Sequence, residues 1–304
     1  MHFAPVQGHT DAPYRHFHTQ VYGGNLTYYT PFIRLEHGQL RRRDIADFTS
    51  ELNNNLTLVP QIIFRDEDEL FTLARLLYES GARRIDLNMG CPFPLQTGHG
   101  RGAAAVANDT LGAAMTRLTH EMHDINFSLK MRLGFSDPDE WHTLLPHLNN
   151  ARLLHVTVHP RIARQQYSGE LYLDRFQKLL DNCSHPVIYN GDLRAPEDMA
   201  RIYSQFPKVA DIMIGRGLLG RPSLGAEMSE GREWTSDERR QKLLTFHRLL
   251  FNHYQQTLCG DTQILTKIQP FWEYTEDEIG RKAWKALRKA NTLPKYRTAL
   301  AQLS

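Results

Sequence analysis

The sequence predicts a (β/α)8 barrel followed by a small all-helical domain. Three observations predict it. Short apolar or β-branched runs recur eight times between residues 2 and 215, helical patterns separate most of them, and from residue 233 onward only helical patterns remain. A chain of 304 residues, 41% of them hydrophobic, has enough material for one large core and a smaller one, with expected boundaries of 1–232 and 233–304.

In order, the runs are HFAPV (2–6), LTYYTPF (26–32), LVPQII (58–63), RIDLNMG (84–90), FSLKMRL (127–133), LLHVTVH (153–159), PVIYNG (186–191) and ADIMIG (210–215). Each is short and rich in residues that fit a pleated surface, as strands require. Between them, DEDELFTLARLLYESGA (66–82) begins with acids and stops at a glycine, and APEDMARIYSQF (195–206) has proline in its first turn, where no N–H is needed. Around residues 228–236 the pattern turns polar, and Thr235 with Glu238 can form a capping box for the next helix.

Composition excludes several classes. No apolar run approaches the ~20 residues of a membrane span, and the strand-like segment directly after Met1 leaves no room for a signal peptide, so a cytoplasmic protein without a membrane partner is expected. Cys91, Cys183 and Cys259 are too scattered for a disulfide framework or a zinc pair, and Cys183 and Cys259 are expected to be structural. A formal net charge of +2 is too mild to identify a nucleic-acid binder without knowing where the charges lie. A monomer is the default expectation.

Barrel strands point alternate residues inward, and active sites lie at their C-terminal ends. In the fourth run Asp86, Asn88 and Gly90 alternate with Ile85, Leu87 and Met89; in the fifth Ser128, Lys130 and Arg132 alternate with apolar residues; in the sixth His155, Thr157 and His159 do. Gln61, Asn88, Lys130, His159 and Asn190 should therefore converge on one cavity. The loops after the seventh and eighth strands, NGD (190–192) and GRGLLGRP (215–222), have the glycines and the arginine that suit a phosphate. A phosphate-tethered ligand over the mouth, with a lysine facing a ring that becomes anionic on reduction, suggests flavin mononucleotide (FMN).

APVQGHTD (4–11), DLNMGCP (86–92), LKMRLG (129–134), VHPR (158–161), YNGD (189–192) and MIGRGLL (213–219) resemble, in order and spacing, the motifs of the tRNA-dihydrouridine synthases. The resemblance covers nearly the whole chain. It implies a flavin enzyme with a (β/α)8 barrel and a helical RNA-binding domain, using NADPH as electron donor. It further implies that FMN is held by Pro5, Val6, Gln7, Gln61, Lys130, His159, Asn190, Gly191, Asp192, Gly215 and Arg216, that Cys91 is the catalytic acid, and that Asn88 helps hold the uracil. The chain departs from the family pattern at Phe93, Pro94 and Leu95 after the cysteine and at Pro160 beside His159.

Reducing uracil to its 5,6-dihydro form needs a hydride at C6 and a proton at C5 from the opposite face. A cysteine with an ordinary pKa of about 8.5 is a neutral thiol at pH 7 and can supply that proton. Pro92 and the run through Gly98, Gly100 and Gly102 suggest a loop that closes over an extruded base.

A folded RNA is a large anion. The segment RKAWKALRKANTLPKYR (281–297) has seven Lys or Arg and no acid, with Trp284 and Tyr296 interleaved, so Lys282, Lys285 and Lys289 are candidate RNA contacts. Arg132, Arg161 and Arg164 near the mouth are further candidates, and Arg41, Arg42 and Arg43 form a second cluster. Rival readings are an FMN-dependent reductase of a small-molecule pyrimidine or enone, a Schiff-base aldolase using Lys130, and an inactive RNA-binding protein. The first would not need the basic tail; the second would leave Cys91 unexplained. A metal-dependent hydrolase fits poorly, because no carboxylate accompanies His155 and His159 in a ligand spacing.

Overall fold

The computed structural model describes residues 1–23 and 25–303. All eight expected strands form, and all are parallel: β1 His2–Phe3, β2 Thr27–Tyr29, β3 Thr57–Val59 continued by Gln61–Ile62, β4 Arg84–Met89, β5 Asn126–Gly134, β6 Leu153–Ile162, β7 Val187–Asn190 and β8 Asp211–Ile214. Pro60 has no N–H for the ladder, so β3 is cut there. Its first half pairs with β2 and its second with β4. His2 and Phe3 pair with Met213 and Ile214 of β8, and that seam closes the barrel.

Ile85, Leu87, Leu129, Met131, Val156 and Val158 are wholly buried between strands and helices, as expected for a parallel sheet covered on its outer face. The anticipated helix ends are present. Asp66 Oδ1 accepts from Glu69 N at 2.8 Å, starting the helix Glu67–Glu79. Thr235 and Glu238 exchange hydrogen bonds of 2.8 and 3.2 Å, starting the helix Ser236–Thr257. A hairpin, Leu35–Glu36 with Gln39–Leu40, and a helix, Arg42–Phe48, fill the connection after β2; neither was anticipated. There Arg41 pairs with Asp44 at 2.7 Å, so part of the expected basic cluster is neutralised.

Beyond residue 232 the chain continues with the helices Ser236–Thr257, Asp261–Ile268, Glu276–Ile279, Arg281–Lys289 and Leu293–Leu300. Phe246 packs edge-on against Tyr14, His18 and Tyr22 of the helix Ala12–Tyr22, with ring centroids 4.9, 5.8 and 5.9 Å away. Asp11 caps that same helix, accepts from Tyr254 Oη at 3.3 Å and pairs with Lys267 at 3.1 Å. One carboxylate thus ties the loop after β1 to two C-terminal helices, which brings Glu273 and Tyr274 to the barrel mouth.

The aromatic residues of the basic run are packing groups rather than exposed stacking faces. Tyr296 is fully buried; its oxygen accepts Trp272 Nε1–H at 2.6 Å, so its own proton goes to His247 Nε2, also at 2.6 Å. Burial holds His247 neutral, its pKa lowered to about 3. Trp284 Nε1 donates to the Trp272 carbonyl at 2.7 Å. Cys183 is half-buried, whereas Cys259 is exposed rather than packed in a core. Among the described residues no helix is long and apolar enough to cross a membrane, and no three His, Cys, Asp or Glu side chains are grouped to hold a metal ion.

Candidate active site

The C-terminal ends of the strands surround a cavity of about 340 Å³. Gln61, Asn88, Lys130, His159 and Asn190, the five inward polar residues, all line it. So do the candidate cofactor residues Pro5, Val6, Gln7, Gly191, Asp192, Gly215 and Arg216, together with Cys91 and Arg132. Tyr167, Glu273 and Tyr274 complete the wall and were not singled out from the sequence.

The floor is a directed chain of hydrogen bonds. Ser128 Oγ donates to Asp86 Oδ1 at 2.6 Å, and Gln61 Nε2 donates to Asp86 Oδ2 at 2.7 Å. Asn88 Nδ2 donates to Gln61 Oε1 at 2.7 Å, and Asn88 Oδ1 accepts from the backbone N–H groups of Gly90 at 3.0 Å and Cys91 at 2.9 Å. Each side-chain amide nitrogen has two protons and uses one in this chain. Both residues line the cavity. Lys130, two residues along the same face as Ser128, adds an ammonium. Burial, then repulsion from Arg132, lowers its pKa from 10.5 to about 8, with Asp86 acting in the opposite sense. The floor is therefore rich in donors and suits a ring edge with carbonyl oxygens.

His159 stays neutral, held well below its ordinary pKa by burial and by the positive charges of Arg132, Lys130, Arg161 and Arg216. Arg161 Nη1 approaches His159 Nε2 at 3.3 Å; a guanidinium only donates, so Nε2 accepts and the proton sits on Nδ1.

Arg161, expected from its charge to meet RNA, is turned inward. It is buried, forks onto Asp192 at 3.0 and 2.6 Å, and donates to the Gly169 carbonyl at 2.7 Å, so almost its whole donor set is used inside the protein. Burial would raise the Asp192 carboxyl, but Arg161 and then Arg216 hold it below its usual value. Its oxygens already serve two arginines, the second being Arg216 at 3.3 Å. Arg132 is also buried; Nη1 donates to the Ile162 carbonyl at 2.8 Å, and its guanidinium lies 5.4 Å from the Tyr167 ring. It faces what the cavity holds rather than an outer RNA surface. Arg164 is exposed and outside the cavity, against Phe135.

Cys91 is 7% exposed and follows directly from β4. Burial raises its thiol pKa; the Phe93 N–H and the charges of Arg132 and Lys130 oppose this only in part. The glycine run after it is exposed at Gly98 and Gly100 and anchored at its end. Arg101 forms a buried pair with Glu69 at 2.5 Å, and Gly102, at φ +62°, packs so closely that an added Cβ would sit 2.5 Å from the Cys91 carbonyl oxygen and 2.9 Å from Cys91 Cβ. Gly102→Ala is accordingly expected to displace Cys91 and slow turnover about 100-fold, the scale of a 1 Å misplacement, while flavin absorbance of the purified protein stays at the wild-type level. At the rim, Phe93 is 45% and Leu95 81% exposed, and Phe93 lies 6.4 Å from the Tyr167 ring, over which Arg216 stacks at 4.4 Å.

The family model described as dihydrouridine synthase (Dus) matches residues 2–301. The chain belongs to the dihydrouridine synthase family. It is 30% identical over 255 residues to a protein from Pseudomonas putida named tRNA-dihydrouridine(16) synthase, covering 81% of this chain and 77% of that one. It is 26% identical over 264 residues to the probable tRNA-dihydrouridine synthase 2 of Bacillus subtilis, covering 83% and 78%. Among solved structures, histamine dehydrogenase from Rhizobium sp. 4-9 superposes with a TM-score of 0.58 at 12% identity over 82% of this chain and 48% of that one, a likeness of fold. In this member of the dihydrouridine synthase family the cavity is lined by residues of the motifs APVQGHTD, DLNMGCP, LKMRLG, VHPR, YNGD and MIGRGLL, while Arg161 lies behind the lining, paired with Asp192.

Proposed function

We propose that the chain reduces the 5,6 double bond of a uridine in tRNA, with FMN in the cavity, NADPH as the electron donor and Cys91 as the proton donor. The observation that carries this reading is a buried thiol at the edge of a donor-lined cavity. Held there, FMN would supply the hydride needed at C6 of the uracil.

The protein's own groups do the rest. Gln61, Asn88 and Lys130 would offer donors to the bound rings, and Lys130 and Arg132 would stabilise negative charge there without reorganisation. Gly215, Arg216 and the 190–192 loop suit the phosphate end. The buried Cys91 thiol, kept protonated, delivers its proton to C5 from the face opposite the hydride. Phe93 and Tyr167 at the rim offer an aromatic surface for an unstacked nucleotide.

We assign tRNA binding beyond the mouth to residues 233–304 as a helical domain joined to the 1–232 barrel, in a protein that acts as a monomer. Lys282, Lys285 and Lys289 are exposed on the helix Arg281–Lys289 at spacings of three and four, hence on one face. Reversing all three to glutamate is expected to weaken tRNA binding at least about tenfold in a low-salt filter-binding assay and to leave flavin content unchanged. Wild-type affinity in that variant would remove this face from the interface. The reaction itself is tested by incubating protein with NADPH and unmodified tRNA, then digesting and looking by mass for a gain of two hydrogens on a uridine, position 16 first. Bound flavin without product on any tRNA would leave the small-molecule reductase.

A further inference from the structure

We propose that Asp86 is the positioning residue for Cys91: its carboxylate anchors the far end of the Gln61–Asn88 amide chain, and Asn88 Oδ1, held in place by that chain, fixes the two backbone N–H groups that place the thiol. Asp86 does not line the cavity, and nothing in the reaction requires it to touch a ligand. It is completely buried on β4, two residues before Asn88 and on the same face.

Direction is the point of the arrangement. A primary amide can be turned over with little change in shape, so something must decide which end faces which neighbour. Asp86 Oδ2 is an acceptor, which requires Gln61 to present Nε2 to it at 2.7 Å. Gln61 Oε1 is then left for Asn88 Nδ2, and Asn88 Oδ1 for Gly90 and Cys91. Turning either amide alone sets acceptor against acceptor or donor against donor. Turning both sets Gln61 Oε1 against Asp86 Oδ2 and Asn88 Nδ2 against two backbone N–H groups, so the carboxylate at one end and the backbone donors at the other hold the same direction. Each such buried mismatch costs about 1–3 kcal/mol. Ser128 cannot set the direction, because its hydroxyl either donates or accepts. That same freedom lets the chain survive protonation of Asp86: Ser128 would accept the new proton, and Oδ2 would still receive Gln61.

The proposal rests on the reading of Cys91 as proton donor for its activity test but not for its chemical one. Two variants of the full chain separate position from packing. Asp86→Asn can still accept from Gln61 while its amide donates to Ser128; Asp86→Leu keeps the branched shape with bulkier ends and has no acceptor. Asp86→Asn should stay within about fivefold of wild type, the equivalent of one net hydrogen bond. Asp86→Leu should slow dihydrouridine formation about 100-fold at unchanged flavin content. Placed on Cys91→Ala, Asp86→Leu should add less than about twofold, since both would act through one group. Independently, iodoacetamide should label the Cys91 peptide at least about fivefold faster in Asp86→Leu than in Asp86→Asn or wild type, as a loosened loop opens more often. A wild-type rate in Asp86→Leu, an Asp86→Asn as slow as Asp86→Leu, or losses that multiply in the double variant would overturn the proposal. If the wild type makes no dihydrouridine, the functional reading fails, and the labelling comparison alone decides the positioning claim.

Discussion

Cys91→Ala is expected to retain its flavin and to lose dihydrouridine formation by about 10²- to 10⁴-fold, the range a positioned general acid supplies. NADPH-dependent bleaching of the flavin should remain near wild type, because the thiol acts only when the proton reaches C5. The pH dependence gives an independent check. The reactive species is the protonated thiol, and burial raises its pKa. The oxidative half-reaction should therefore be level across neutral pH and fall as pH rises through a value above the ~8.5 of a free cysteine. A rate that rises with pH through that range would mean the thiolate is the active form. Loss of flavin in Cys91→Ala would make the residue part of the binding wall instead.

Lys130→Met is expected to act in opposite directions on binding and on stability. The ammonium is the charged donor of the cavity floor, so its removal should abolish tight retention of flavin through purification. In the flavin-free protein the same change relieves a buried charge. The sign follows from the depressed pKa: folded Lys130 holds its proton more weakly, about 8 against 10.5, so folding is penalised below about 8 and the penalty fades as pH rises toward 10.5. The flavin-free variant should therefore melt a few degrees above flavin-free wild type at pH 7, with the gap narrowing near pH 10. Asp86 loses a positive neighbour in the exchange, which moderates the gain without reversing it. Equal flavin content in the two proteins would remove Lys130 from the site, and a lower melting temperature at pH 7 would mean that its charge stabilises the empty barrel.

Much of this protein was legible in its sequence because barrel strands have a local signature. The alternation Asp86, Asn88 and Ser128, Lys130, Arg132 placed these side chains on inward faces, and their convergence then followed from closing the barrel. The same periodicity placed Lys282, Lys285 and Lys289 on one helical face.

What the sequence could not determine is which polar partner each inward residue takes. Arg161 looked like a ligand for RNA because of its charge, yet Asp192, thirty-one residues away, occupies it. Gly102 looked like freedom for a moving loop, whereas it is the space into which Cys91 packs. Glu273 and Tyr274 reach the mouth because the C-terminal helices dock on the barrel, through Phe246 packing and through Asp11 held by Tyr254 and Lys267. Periodicity is a property of neighbours along the chain and is written in composition. A hydrogen-bond direction or a buried ion pair depends on atoms from distant segments meeting within about 3 Å, and only the docking of loops and helices on the closed barrel decides that.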